Sequence, residues 1–287
     1  MSRALRKKRN VYIVGLRRSG TTIFWEIFRQ DKRFLCFDEP FNPHLRGYVE
    51  LNINNKKGTL DEYLAHPLVV RRWWSCIQPY EEVFPTFIEH QERYLRELIS
   101  LAPHVCIDFV RCHAKIERLR RIDPDGLIIH LVRDPRAFVT SHLRPYGRWL
   151  NASLPQSFFT YRGWFDYWGY QTLAHALGLR GYAYEQLLQV WKHMTDIAES
   201  QFPDLTVQFE RFALNPEETV RMIYNLLDLT YEPLDYSKVH PPHEPYAPTD
   251  PRWNEAMERY RIDSRYLHDF GEASGNGLLI FSAPPET

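Results

Sequence analysis

Residues 15–22 read GLRRSGTT. Gly15 and Gly20 have the spacing of a phosphate-binding loop, G-x-x-x-x-G-K-[ST], but Thr21 stands where the lysine belongs. Two cations, Arg17 and Arg18, come earlier in the loop instead. The run VYIVG before the loop suits a buried strand, and TTIFWEIFRQ after it opens a helix, with Ile23/Ile27 and Phe24/Phe28 four apart. Strand, glycine turn and helix together form an anion site. The backbone N–H groups of residues 18–22, including those of Ser19 and Gly20, would point at a ligand from the helix N-terminus. Thr21 and Thr22 add hydroxyl donors. Arg18 is placed to offset charge building up on a bridging oxygen.

A second anion site is written in LIIHLVRDPRAFVTSHL, residues 127–143. The strand LIIHLV ends at Arg133, Asp134 can cap the next helix, and Pro135 suits its first position. Ser141 follows Arg133 by eight residues, with about two helical turns between the cap and the hydroxyl. A guanidinium at a strand end and a hydroxyl on the following helix can grip one phosphate together.

The elements that must hold these groups alternate. Strand-like runs lie at 11–15, 33–37, 105–110, 127–132 and 205–210, and helical patterns at 114–122, 184–200 and 216–229. The last helix begins with Asn215 as N-cap, Pro216 and acidic residues in its first turn. This alternation predicts an α/β fold, a parallel β-sheet flanked by helices of the P-loop nucleotide-binding type. The chain has 287 residues and shows neither an internal repeat nor a low-complexity linker, so residues 1–287 are read as a single domain with a solvated basic tail at 1–10.

Composition narrows the function classes. Lysine plus arginine equals aspartate plus glutamate, so no basic excess points to nucleic acid. No apolar run approaches the ~20 residues that span a bilayer, and the N-terminus shows no signal-peptide pattern. Four cysteines without a C-x-x-C pair suggest neither a disulfide framework nor structural zinc. These features lead us to expect a cytoplasmic protein with reduced thiols, and nothing in the motifs calls for a metal.

The core RRSGTT resembles the 5′-phosphosulfate loop of the sulfotransferase family, whose [KR]-[ST]-G-[ST]-[ST] core matches Arg18–Thr22. The family's 3′-phosphate pattern, an Arg at a strand end and a Ser eight residues later, matches Arg133 and Ser141. The resemblance implies 3′-phosphoadenosine 5′-phosphosulfate (PAPS) as sulfuryl donor. A buried Arg133 would then separate PAPS from ATP, which has no 3′-phosphate. VQFERFALNPEETVRMIYNLLDL (207–229) is similar to a family segment in which an aromatic stacks on adenine, and Phe209 takes that place. The aromatic that often follows the family's loop is Ile23 here, and Trp25 is the nearby substitute.

Two groups qualify as the base that takes the acceptor proton. Glu39, in FDEPFNPH, matches the glutamate after the second strand of carbohydrate-type and tyrosylprotein-type members, and Asp38 stands beside it. His113, in VRCHAKIERL, loosely matches the catalytic histidine of cytosolic members. The aromatic run at 146–170, with Trp149, Phe158, Phe159, Tyr161, Trp164, Phe165 and Trp168, fits equally an acceptor lid over about 144–183, ordinary core or a homodimer contact. RRWWSC at 71–76 carries the same ambiguity. The expected acceptor is a small molecule or sugar. The rivals are a P-loop small-molecule kinase using ATP and a non-catalytic nucleotide-binding protein.

Overall fold

A computed structural model of the chain describes residues 9–53, 55, 58–147, 155–165 and 169–270. Five strands form one parallel sheet: β1 (Asn10–Gly15), β2 (Leu35–Asp38), β3 (Val105–Phe109), β4 (Gly126–Val132) and β5 (Leu205–Gln208), in the spatial order β2-β3-β1-β4-β5. Successive side chains of a strand point to opposite faces, and here both faces are covered. Tyr12 and Val14 join a core with Phe37, Ile107 and Phe109, while Val11 and Ile13 join Cys36, Cys106, Leu127 and Ile129 on the other side. That double burial is why the strands read as continuous apolar runs rather than alternating ones.

Helix α1 (Thr21–Phe28) follows the loop and buries Phe24, Trp25, Ile27 and Phe28. Helix α2 (Pro135–Gly147) follows β4, and α3 (Ala183–Glu199) packs against it. Helices α4 (Phe209–Leu214) and α5 (Pro216–Leu226) follow β5 directly. Asp134 caps α2 as its sequence predicts, its Oδ1 accepting from the backbone N–H of Arg136 at 2.8 Å. Asn215 stands before α5 with Pro216 in the first turn, but its side chain makes no capping bond.

Two strand boundaries differ from expectation by two residues, the others by at most one. β2 starts at Leu35 rather than residue 33, because Asp31 closes a turn by accepting from Arg33 N at 2.9 Å. β5 stops at Gln208 rather than residue 210. Phe209 turns against Gly20, and the Glu210 carboxylate accepts from Asp134 N at 3.0 Å. Tertiary contacts at the end of the sheet therefore override an extended pattern.

Among the described residues of the aromatic run, Phe158 and Tyr161 pack half-buried against the core and Trp164 is exposed. Phe159 and Phe165 are buried, and Phe159 packs edge-on against Trp253 and Tyr184, each at 5.1 Å. Phe158 lies 4.8 Å from Tyr246. Trp149 and Trp168 lie outside the described residues. In the second cluster, the Trp73 ring sits 3.7 Å from the Arg93 guanidinium and 4.8 Å from that of Arg72. No helix among the described residues is long and apolar enough to cross a membrane.

Candidate active site

The loop between β1 and α1 turns by two left-handed residues, Arg18 at φ 71° and Gly20 at φ 90°. Ser19 N donates to Leu16 O at 3.0 Å within the turn. A Cβ on Gly20 would meet the Phe209 ring at 2.2 Å, so the loop needs glycine for both conformation and space. Gly20→Ala is expected to lower stability by about 1–3 kcal/mol and to displace the aromatic ring as well. Thermal melts check the first and a crystal structure of the variant the second; an unchanged melting temperature with the ring in place would contradict it.

The loop borders a cavity of about 370 Å³, lined by Arg17, Arg18, Gly20, Thr21, Thr22, Ile23, Glu39, Val110, Arg133, Phe209, His240, Pro241 and His243. Arg133 reaches this wall from the end of β4, and its Nη1 donates to Arg18 O at 2.6 Å. The two anion motifs, far apart in sequence, thus meet. The Arg133 guanidinium lies 5.6 Å from the Phe209 ring and 3.6 Å from Glu210 Oε1. Burial pulls Arg133 below its ordinary pKa, against the opposing charge of Glu210. Burial in turn pushes the Glu210 carboxyl up to about 7, with Asp134 adding to the rise.

Several donors around the cavity lack partners. Arg17 Nε and Nη1, Ser19 Oγ and Arg133 Nε are buried without a hydrogen bond. Such groups are costly to leave unpaired, and an anion with many acceptor oxygens would satisfy them. Ser141 is half-buried, is not part of the cavity wall, and donates through Oγ to Phe138 O at 2.7 Å. Ile23 lines the cavity, whereas Trp25 is fully buried in the core and makes no substitute contact there.

The structure separates the two base candidates. Glu39 follows β2 with φ 43°, a left-handed conformation that is strained for a non-glycine residue. Its Oε2 accepts from Arg111 Nη1 at 2.9 Å and from Asn42 Nδ2 at 3.2 Å. Glu39 also lines a second cavity of about 720 Å³ with Asp38, Asn42, His44, Tyr48, Gln78, Arg111 and Gly169. It therefore stands where the two cavities meet. His113 is fully buried, borders neither cavity, and has both ring nitrogens without partners. Burial holds its imidazole well below the ordinary range, with nearby His130 and Arg17 acting in the same direction.

Behind Glu39, Asp38 pairs in register with Asp108 across β2 and β3. Burial, reinforced by Glu39, pushes Asp38 up to about 8, and burial with Asp38 and Glu39 raises Asp108 as well. The unfolded carboxyl ionises near 3.8, while folded Asp38 keeps its proton to about 8. Between those values the unfolded state binds fewer protons, so stability falls as pH rises. The melting temperature is expected to decline across this window, and Asp38→Asn should flatten the slope. An equal slope in the variant would exclude Asp38 as the source.

A model of the sulfotransferase family matches residues 10–233. The chain belongs to the sulfotransferase family. Its fold agrees with a solved sulfotransferase from Alicyclobacillus acidocaldarius at TM-score 0.51 and 14% identity, covering 92% of this chain and 98% of that one. A sulfotransferase domain from the curacin biosynthetic pathway aligns at TM-score 0.42 and 15% identity, over 79% of this chain and 76% of that one. One from Mycobacterium avium aligns at 0.40 and 15%, over 90% and 69%. No curated protein matches the sequence.

Sequence reasoning does not single out several residues of this candidate site. Asp108 has a visible signal, a lone charge inside the apolar strand VCIDFV. His240 and His243 lie in a proline-rich stretch that carries no periodic pattern, and only the folded chain places them on the cavity wall. Glu82, which pairs with Arg17 of the loop and lies 3.7 Å from Arg111, has no local signal, since both partners are distant in sequence. Among the described residues, no group of three or more His, Cys, Asp or Glu side chains could hold a metal ion.

Proposed function

We propose that the protein transfers a sulfuryl group from PAPS to a hydroxyl or amine of a small acceptor, with Glu39 as the base. The observation that carries this reading is the position of Glu39, which lines both the cavity of the phosphate loop and the larger cavity beside it. A donor in one and an acceptor in the other would have the carboxylate at their junction.

The unpartnered donors of Arg17, Ser19 and Arg133 suit the anionic ends of PAPS. Arg18, Gly20, Thr21 and Thr22 would hold the 5′-phosphosulfate and Arg133 the 3′-phosphate. Ser141, which is not on this wall, joins that grip by turning its side chain so that its one O–H donor leaves Phe138 O for the phosphate. Phe209 offers a ring to adenine. PAPS supplies the sulfuryl group: the acceptor oxygen bonds to sulfur, the bond from sulfur to the 5′-phosphate oxygen breaks, and adenosine 3′,5′-bisphosphate (PAP) leaves. Glu39 takes the acceptor proton as that bond forms, and Arg18 balances charge on the oxygen left behind.

The larger cavity mixes Tyr48 with polar groups from Asn42, His44, Gln78 and Arg111, which suits a hydroxyl-bearing small molecule or sugar. The acceptor is thus sought first here; the 144–183 segment adds Gly169 to the same wall, while its Phe159 and Phe165 are core and its Trp164 is exposed. All four cysteines are free, in keeping with a reducing compartment such as the cytoplasm. The test is transfer of labelled sulfate from PAPS across a panel of hydroxylated small molecules and sugars, run beside PAP and ATP titrations with and without Mg²⁺. Tight, metal-independent PAP binding with weak ATP binding is expected. Equal affinity for ATP, or a requirement for Mg²⁺, would favour a kinase instead.

A further inference from the structure

Between the two cavities lies a row of buried charges. Glu82, just after the short turn Pro79–Glu81, is fully buried. Its Oε1 pairs with Arg17 Nη2 of the phosphate loop. The same oxygen lies 3.7 Å from Arg111 Nε, and Arg111 in turn grips Glu39 at 2.9 Å. Arg17 borders the smaller cavity and Arg111 the larger. One carboxylate oxygen is therefore shared by one arginine from each wall. Tyr170 closes the row from outside, accepting from Arg17 N at 2.8 Å and lying 4.9 Å under its guanidinium.

Neither charge on its own explains this arrangement. A buried ion pair is weak evidence for stability, because desolvation offsets its attraction. A simple Arg17–Glu82 pair would be complete without Arg111. The shared oxygen instead makes the position of each arginine depend on the other, the condition for coupling between neighbouring sites.

We infer that Glu82 is a positioning residue that ties the phosphate loop to the base, so that donor binding and the orientation of Glu39 are set together. This rests on the sulfuryl-transfer reading above. With Arg111 removed, the Glu82 charge is left to Arg17, its close partner, and to the more weakly acting Lys115, and the larger share on Arg17 lessens what that guanidinium can offer an anion. The donor cavity should then feel a substitution that is not on its wall.

A double-mutant cycle read by PAP titration tests this without knowledge of the acceptor. Arg111→Gln is expected to weaken PAP binding by roughly three- to tenfold, and that effect should vanish in a Glu82→Gln background. Circular dichroism and melts establish that each variant folds. Should Glu82→Gln not fold, Glu82→Asp keeps the charge but shortens its reach, and the Arg111→Gln effect should shrink in that background. Equal effects of Arg111→Gln with and without the Glu82 substitution, or no effect in the wild-type chain, would overturn the tie while leaving PAP binding and the donor reading intact. Failure of the wild-type chain to bind PAP would instead remove the donor reading and the tie with it.

Discussion

Glu39→Gln is expected to lower turnover by roughly 100-fold or more while PAP affinity stays within about twofold of wild type. The amide keeps nearly the same shape and can still meet Asn42 and Arg111, but it cannot accept the acceptor's proton. The separation between turnover and donor binding is the informative part. A loop disturbance would move both, whereas loss of the base moves the chemical step alone. The strained backbone at φ 43° makes the same residue a natural place for a cost in stability accepted for function. His113→Ala supplies the contrast. Its ring is buried away from both cavities, so its loss should appear mainly as a lower melting temperature. Turnover that survives Glu39→Gln but collapses in a well-folded His113→Ala variant would reverse the assignment.

Arg133→Ala is expected to weaken PAP binding by roughly 30-fold or more and the already weak binding of ATP by much less. The arginine is mostly buried and pins the loop through Arg18 O, so part of the loss comes from loosened loop geometry. Arg133→Lys separates the two contributions. Lysine keeps the charge but not the planar fork that can bond Arg18 O and a phosphate together. A value intermediate between wild type and alanine is expected from isothermal titration. PAP affinity untouched by Arg133→Ala would exclude this arginine from the donor site, and an equal loss for ATP would mean that it reads nothing specific to a 3′-phosphate.

The chemistry of the two anion motifs is legible in sequence because each is local. GLRRSGTT carries its own turn, and RDPRAFVTS carries its own cap and helix start. The five strands are legible because sheet burial on both faces leaves apolar runs with little else inside them. Asp108 and His130 are titratable exceptions, and Asp108 marks the carboxyl pair beneath the candidate base. The choice between Glu39 and His113 is not legible. Both follow strands and both are titratable, and only burial and the cavity walls tell them apart. The aromatic run is similarly mute, since a ring that packs on Trp253 and one that packs on a ligand look the same in one dimension.

By itself the amino-acid sequence determined the family-type loop, the order of strand and helix, and the cations available to an anion, because these depend on neighbours within about ten residues. The tertiary structure alone decided that Arg133 meets Arg18, that Glu39 stands at the junction of two cavities, and that Glu82 joins an arginine from each. The first two follow from the parallel sheet order β2-β3-β1-β4-β5, which gathers the C-terminal ends of β1, β2, β3 and β4 on one side, and the third from the Pro79–Glu81 turn that seats Glu82 against Arg17 and Arg111. Charges separated by tens of residues become neighbours there, at distances where a single oxygen can serve two partners.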